Sequence, residues 1–435
     1  MMMSVCLALL LIGSSDAQSP AGTITLEEAI ARGLANSQRL AELQARKEGA
    51  EAAQAGRAAA SLPTIALAGG YTRTNHVDEF GIAFPGQAPR IIYPDIPDNY
   101  RARIDLNWPV YSGGRTDALE RAAAAERQAS GEDLSAARAD LRLEITRAFW
   151  ALVAARETER VLARSLEDVD AHVRDLRTRL DQGLIPPNDV LSAEAQQARQ
   201  RVLAIEAHNT RAIAEADLKR LMGSDGAETL EPAATLDAVP PLPPASADLE
   251  AQARTARPER RALVERAAAS RAREEAVHAT ARPQLGVNAG YDYARPNPRI
   301  FPRRGAWQDS WDVSANVTWL LWDGGRRHAE QAEAAAATRA IDARAGDVDR
   351  QISFEVRQRW LEVDSNRAAI EAAAAGVQSA TEARRVVGER FRAGVATSTE
   401  VLDAEIAVLQ AELDLTRAHA NTRVALARLD RAAGK

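Results

Sequence analysis

The side chains that most often catalyse reactions or bind metals are few and scattered in this sequence. None of the six histidines stands at a spacing from other ligand residues that suggests a metal site: His76, His172, His208, His278, His328 and His419. The only cysteine, Cys6, lies near the N-terminus, so we expect no thiol chemistry in the mature chain. The glycine pairs of "YSGGR" and "WDGGR" do not belong to a Gly-x-x-x-x-Gly-Lys phosphate loop. These patterns predict neither an enzyme nor a protein that binds a cofactor.

The composition favours long helices. The 435 residues are 46% hydrophobic but only 4% aromatic, with many Ala, Arg, Glu and Leu residues, which suits helices packed through small side chains. The net charge of −6 gives no reason to expect nucleic acid as a partner. No internal stretch approaches the ~18 continuous apolar residues of a transmembrane helix. If the chain enters a membrane, it must therefore do so as strands.

The N-terminus resembles a secretory signal. An apolar run over residues 5–13 is followed by small and polar residues that end near Ala17. A run this short is typical of a signal peptide and not of a membrane span, although the usual basic residues before it are missing. We expect residues 1–18 to be a signal peptide, which would place the mature chain outside the cytoplasm.

Three sequence blocks recur in the same order in the two halves of the chain. "WPVYSGGRTDALERAAAA" resembles "WLLWDGGRRHAEQAEAAA", and "RLDQGLIPPNDVLSAE" resembles "RFRAGVATSTEVLDAE" at the same separation. "LPTIALAGGY" likewise resembles "RPQLGVNAGY". The ordered recurrence predicts an internal duplication, with repeats over 19–222 and 248–435. The segment 223–247 between them contains a proline-rich stretch that cannot be helical, and we predict that it is a linker.

Each repeat is predicted to run helix, two strands, long helix, helix. The predicted helices span residues 25–60, 114–182, 187–222, 248–281, 325–392 and 397–431. At 1.5 Å per residue the long helices reach ~100 Å and the short ones ~53 Å, so two short helices end to end match one long helix. The predicted fold is therefore mainly α, with four strands per chain.

Apolar residues recur at alternating spacings of four and three on the predicted helices. The members of this seam are Leu162, Leu166, Val169, Val173, Leu176 and Leu180 in the first repeat, and Leu402, Ile406, Leu409 and Leu413 in the second. Such spacing predicts knobs-into-holes packing against neighbouring helices. By itself the seam indicates only an elongated helical bundle, so function must come from the strands and turns.

Four segments alternate between apolar and polar residues: 64–73, 100–111, 284–293 and 310–322. Each is about as long as a tilted strand that crosses a bilayer, and the charges on the alternate face exclude burial on both sides. A soluble sandwich would alternate in the same way. Aromatic residues near the segment ends favour the membrane, because Trp and Tyr concentrate at membrane interfaces: Trp108, Tyr111, Trp311, Trp319 and Trp322.

Four strands leave two open edges, which hydrocarbon does not tolerate. We therefore expect closure with strands of other chains, either two chains with eight strands or three with twelve.

At this point the sequence resembles the TolC family of outer-membrane efflux proteins over essentially the whole mature chain. The matching pieces are "ITLEEAIARGLANSQRL", "YSGGR", "WDGGR", "QGLIPPNDVLSAE" and "AGVATSTEVLDAE". The resemblance implies a homotrimer whose twelve-stranded outer-membrane barrel continues into a periplasmic α-helical coiled-coil tunnel. It also implies docking to a periplasmic adaptor and an inner-membrane transporter, and export of drugs, metals or proteins from a Gram-negative cell.

The resemblance further implies which residues form the periplasmic tip. The tip turns for adaptor docking would be Gly183 with Leu184 and Gly394 with Val395, and the aperture residues would be Asp189, Phe391, Glu400 and Asp403. Phe391 falls where the family's best-known member has a tyrosine of the closing network, and Ala396 falls where it has an arginine. That particular latch cannot form here.

Threefold repetition of Glu400 and Asp403 would surround a constriction with carboxylates, which attract cations and raise one another's pKa. These acids could equally be solvated residues of a first helical turn, where the helix dipole favours them. An alternative for the whole chain is a periplasmic coiled-coil adaptor, but adaptors usually carry one hairpin and lack a duplicated plan.

Overall fold

The computed structural model describes residues 23–224, 229–237, 241 and 243–435, so the predicted signal peptide and parts of the predicted linker lie outside the described residues. The chain forms two compact units. Unit 1 comprises the chain up to Leu40 together with Ala137–Arg257 and Ile352–Lys435. Unit 2 comprises Ala41–Ala136 and Pro258–Gln351. Each unit contains parts of both predicted repeats.

The described residues contain eight α-helices. They are α1 Leu26–Asn36, α2 Gln38–Ala59, α3 Arg115–Asp181, α4 Pro187–Met222, α5 Ser246–Ala256, α6 Pro258–Ala279, α7 Arg326–Arg392 and α8 Ser398–Ala432. The two long helices α3 and α7 have 67 residues each. None of the described helices combines the length and apolar character needed to cross a membrane.

The predicted helices 25–60 and 248–281 are each interrupted once, so the prediction of continuous helices was wrong at these points. Between α1 and α2, Ser37 is extended and its Oγ accepts a hydrogen bond from the Leu40 N–H at 3.3 Å, which caps α2. Between α5 and α6, Arg257 is extended because the ring of Pro258 disfavours helical geometry in the preceding residue.

The described strands form one four-stranded sheet and two small pairs. They are β1 Thr23–Ile24, β2 Thr64–Arg73, β3 Phe80–Ile82, β4 Arg90–Tyr93, β5 Asp98–Tyr111, β6 Glu231–Pro232, β7 Gln284–Arg295 and β8 Gln308–Thr318. The main sheet lies in unit 2 with the antiparallel order β2-β5-β7-β8. The short β3–β4 hairpin lies in the loop between β2 and β5, and β1 pairs with β6 in parallel.

The last strand is shorter than the predicted segment 310–322. Thr318 pairs with Gln284, the first residue of β7, so the chain beyond Thr318 has no partner strand to extend the ladder. Trp319 instead donates a side-chain hydrogen bond from Nε1 to the carbonyl oxygen of Ala281 at 3.0 Å. The residues 319–322 are therefore a connection between sheet and helix.

The strand register brings the four apolar faces together. Leu67 lies opposite Ile104, Ile104 opposite Tyr291, and Tyr291 opposite Trp311. These side chains remain exposed, with Leu67 at 77% and Trp311 at 71%. The sheet therefore presents one continuous apolar face that nothing in the described chain covers.

The polar face of the same sheet carries an ion-pair network centred on Arg103. Its guanidinium donates to Asp105 Oδ1 at 2.6 Å, to Asp312 Oδ1 at 3.3 Å and to Asp292. Gly290 permits this arrangement, because a Cβ at that position would overlap the guanidinium and lie 2.7 Å from its Cζ. Arg103 on β5 thus connects three strands, because its hydrogen bonds reach Asp292 on β7 and Asp312 on β8.

In unit 1 the predicted apolar seam forms much of the packed interior. One cluster of buried residues comprises Val169, Val173, Leu176, Val190, Ala193 and Leu402, and a second comprises Val161, Leu162, Ala207 and Leu409. Ile406 does not join them and is 39% exposed. The seam therefore joins α3, α4 and α8, with one predicted member facing outward in the single chain.

Substituting Gly290→Ala should weaken the sheet, because the new Cβ displaces the Arg103 guanidinium from its aspartate partners. We expect the thermal unfolding midpoint of the detergent-solubilised protein to fall on the order of 5 °C. Gly286→Ala is the matched control, since the nearest atom to a Cβ there is the Trp108 carbonyl oxygen at 3.8 Å. Equal midpoints for the two variants would contradict this role of Gly290.

Candidate functional site

The turn between α3 and α4 closes with a glycine in the left-handed region. Gly183 has φ of 72°, and its N–H donates to the Leu180 carbonyl at 2.8 Å. The Leu184 N–H donates to the Arg179 carbonyl at 2.9 Å, which completes a Schellman motif. The side chain of Leu184 is 69% exposed at the end of the helix pair.

The turn between α7 and α8 repeats this geometry. Gly394 has φ of 76°, its N–H donates to the Phe391 carbonyl at 3.1 Å, and the Val395 N–H donates to the Arg390 carbonyl at 2.9 Å. Val395 is 64% exposed. Both turns thus end a 67-residue helix in the same way and present one apolar side chain to solvent.

The predicted aperture residue Glu400 forms a capping box at the start of α8. Its Oε2 accepts the Thr397 N–H at 2.7 Å, while the Glu400 N–H donates to Thr397 Oγ1 at 3.3 Å. The backbone hydrogen bond from Thr397 lowers the pKa of the Glu400 carboxyl. Within one chain this carboxylate is therefore exposed, ionised at neutral pH and held by its own helix end.

Asp189 and Asp403, the other two acids of the predicted aperture, also lie near the start of a helix. Asp189 is in the first turn of α4 and accepts a hydrogen bond from Asn188 Nδ2 at 3.0 Å, and Asp403 is exposed on the first turns of α8. No hydrogen bond joins Asp189 to Glu400 or Asp403 within the described chain. A single chain thus positions these acids at the helix ends but does not bring them together.

Phe391 is a packing residue. It lies against the first buried cluster of unit 1, its ring centroid is 5.5 Å from that of His172, and the Arg179 guanidinium lies 4.7 Å from the ring centre. It has no hydroxyl group for a closing hydrogen bond, and neighbouring Ala396 has no charge. The contacts of the Phe391 ring are therefore apolar and cation–π in character.

Beside the turn, α3, α7 and α8 border a groove of roughly 820 Å³ that the sequence did not point to. Glu405 lines it, and burial raises the pKa of this carboxyl to about 7. One sequence feature could have pointed to this residue. Glu405 lies four residues after Val401 and three before Val408, so it repeats the four-and-three spacing of the seam with an acid in the middle position.

The predicted interface aromatics of unit 2 lie at the sheet. Trp108, Tyr111, Trp319 and Trp322 are exposed at the end of the sheet from which α3 and α7 begin. At the opposite, loop-side end, an aromatic cluster links the strands through ring-centroid distances of 4.9–5.9 Å: Tyr71, Tyr100, Tyr293 and Trp307. Trp311 lies on the apolar face opposite Tyr291.

These two groups of aromatic residues form two belts, separated by roughly 26 Å of strand, because eight residues separate Tyr100 from Trp108 along β5 at ~3.3 Å each. In the described residues, no group of three or more His, Cys, Asp or Glu side chains could hold a metal ion.

The chain belongs to a known family. The sequence model of the family described as "Outer membrane efflux protein" matches residues 29–224 and 251–435, most of the chain. This match confirms the resemblance drawn from the sequence and locates the protein in the outer membrane with an extension into the periplasm. The family is one of efflux proteins and not a class of enzymes. No curated protein sequence matches the chain.

Solved structures show the same fold. The outer membrane protein VceC from Vibrio cholerae is 21% identical over 94% of this chain and 96% of its own, with a TM-score of 0.79. The CmeC outer membrane channel of Campylobacter jejuni is 15% identical over 99% and 93%, with a TM-score of 0.79. The open state of the Neisseria gonorrhoeae MtrE channel is 20% identical over 94% and 88%, with a TM-score of 0.78.

Substituting Gly394→Ala should strain the α7–α8 turn, because a side chain is disfavoured at this positive φ. We expect a loss of about 1 kcal/mol in the free energy of local opening, measured by amide hydrogen exchange across the turn. Gly376→Ala is the control, since Gly376 lies within α7 with no atom within 4 Å of its Cβ position. Faster exchange in the control than in Gly394→Ala would contradict the assignment.

Proposed function

We propose that the protein is a channel that conducts substrates out of the periplasm through the outer membrane as part of a tripartite efflux or secretion system. The observation that carries the proposal is the exposed apolar face of the sheet, bounded by aromatic belts separated by roughly 26 Å of strand. Strands of outer-membrane barrels tilt by about 35–45°, so this length along β5 spans roughly 20 Å of the ~25 Å apolar band of such barrels. Family membership supports the same function.

A trimer supplies the strands that a single chain lacks. In the described chain β2 and β8 are the edges of the sheet, and their outward backbone groups need partners in hydrocarbon. Three copies would close a ring of twelve strands, wide enough for a lumen lined by the polar face. Two solved structures of similar fold are described as outer membrane channels, which supports the presence of a lumen.

An internal duplication explains the matched halves. The family model matches two separate segments, 29–224 and 251–435, which nearly coincide with the predicted repeats 19–222 and 248–435. The equal lengths of α3 and α7 and the identical hydrogen bonding of the two turns support the same origin. We propose that the segment 223–247 is the linker of the two repeats.

The two turns of unit 1 are the proposed docking points for a periplasmic adaptor, which would connect the channel to an inner-membrane transporter. Leu184 and Val395 are exposed apolar side chains on rigid, glycine-closed helix ends. Apolar groups on preorganised backbone suit a protein contact, because little conformational entropy is lost on binding.

The channel function predicts discrete conductance steps when the purified protein is added to a planar bilayer. It also predicts a detergent-resistant oligomer that migrates as a single chain after heating. A protein that stays soluble and monomeric without detergent, and that leaves the bilayer non-conducting, would contradict the proposal and favour the adaptor alternative.

The proposed aperture predicts cation preference from Glu400 and Asp403. The double variant Glu400→Gln with Asp403→Asn should lower the cation-to-anion permeability ratio roughly twofold or more in a salt gradient, because it removes six carboxylates from the trimer. Glutamine at 400 keeps an acceptor for the Thr397 N–H, so α8 should still begin correctly.

A matched control removes two acids elsewhere on α8, by Asp414→Asn with Asp430→Asn. Both residues are exposed, and the change in net charge is the same. An unchanged permeability ratio in the Glu400 and Asp403 variant, or an equal change in the control, would reject the aperture assignment.

A further inference from the structure

The groove between α3, α7 and α8 contains a carboxyl group that the proposed function does not use. Glu405 is half-buried on α8, and its Oε2 is shielded from solvent with no hydrogen-bond donor among the described residues. Val401 and Val408, about one turn away on either side, are buried. Glu405 thus lies between two buried valines, where an ionised carboxylate loses hydration without a compensating bond.

The charged groups that face Glu405 come from both neighbouring helices. The titratable side chains of the groove are Asp168, His172, Asp175 and Arg179 on α3, and Glu382, Arg384, Arg385 and Arg392 on α7. Three of these arginines already bond to other carboxylates: Arg384 to Asp168 at 3.3 Å, Arg385 to Glu382 at 2.6 Å and Arg179 to Asp175 at 2.9 Å. In these three ion pairs the arginines bond to carboxylates other than Glu405, so the pairs do not directly neutralise the charge of Glu405.

Their surroundings shift the pKa of Glu405 and the pKa of His172 in opposite directions. Burial, followed by the charge of Asp168, raises the pKa of Glu405 to about 7 against the opposing effect of Arg384. Burial lowers the pKa of His172, whose Nε2 lies 3.0 Å from Ser398 Oγ. Near neutral pH, Glu405 therefore changes its charge while His172 stays uncharged.

We propose that Glu405 is a proton-sensitive contact that keeps α8 packed against α3 in acid and loosens this packing as the surroundings become neutral. A protonated Glu405 carboxyl carries no charge and can stay between the two buried valines. Ionisation places a second negative charge beside Asp168 in a half-buried position. That charge is relieved when the helices separate and water reaches the carboxylate.

The direction of the pH effect follows from proton linkage. The pKa of Glu405 in the packed state lies above the ordinary value of 4.5. The packed state therefore binds the proton more tightly than a solvated state does, and protons stabilise it. Its stability is greatest in acid and declines as the pH rises from 4.5 to about 7.

The consequence for transport rests on the proposed function. α7 and α8 meet at the turn that contains Gly394, which is part of the proposed periplasmic tip. A looser contact between α8 and α3 would change the geometry of that tip. The channel would then respond to the pH of the compartment around it.

A distance measurement on the purified full-length protein tests the contact independently of conductance. Ala171→Cys on α3 and Ala407→Cys on α8 introduce exposed label sites, and the predicted mature chain has no other cysteine. The label-to-label distance is short in the packed state and long in the loosened state. Between pH 6 and 8 we expect the ratio of the long-distance population to the short-distance population to rise on the order of tenfold. Glu405→Gln should hold the short distance throughout, whereas the control Asp414→Asn should behave like the labelled parent.

A second variant alters the neighbour of Glu405. Asp168→Asn removes the nearby negative charge and frees Arg384, so the midpoint of the distance change should move down by about one pH unit. A distance that does not depend on pH in the labelled parent, or a Glu405→Gln variant with the parent's profile, overturns the proposal. A pH-dependent distance in a protein that forms no conducting pore supports the contact and rejects the channel function.

Discussion

Backbone groups at a strand edge must find hydrogen-bond partners wherever hydrocarbon excludes water. The four-stranded sheet of unit 2 meets this constraint internally for β5 and β7 and leaves β2 and β8 as edges within the described chain. Its apolar face is exposed over all four strands. In the proposed trimer, neighbouring copies pair the edges and lipid covers the apolar face, so the fold of one chain is completed only by assembly.

Three carboxylates show how the surroundings of one chemical group set its role. Asp292 is buried on the polar face and bonded by Arg101 and Arg103, so it joins strands. Glu400 is exposed and bonded by the backbone of its own helix end, so it stays ionised. Glu405 is half-buried with one oxygen unbonded, so its charge depends on pH. Only the partners and the burial differ.

Local patterns predicted most of the secondary structure, because the periods of helices and strands depend on neighbouring residues alone. The interruption at Arg257 was missed although Pro258, which disfavours helical geometry in the residue before it, is visible in the sequence. The end of β8 at Thr318 could not be read locally. A strand ends where its partner ends, and the partner β7 lies elsewhere in the sequence.

The periodic faces, the duplicated blocks, the glycine turns and the family could be predicted from the amino-acid sequence, because each depends on residue types at fixed spacings. Tertiary structure alone decided the register that places Arg103 across Gly290. It also decided the packing that leaves the Glu405 carboxyl half-buried with one oxygen unbonded. Both depend on which distant segment lies opposite a residue, and spacing along one chain does not contain that information.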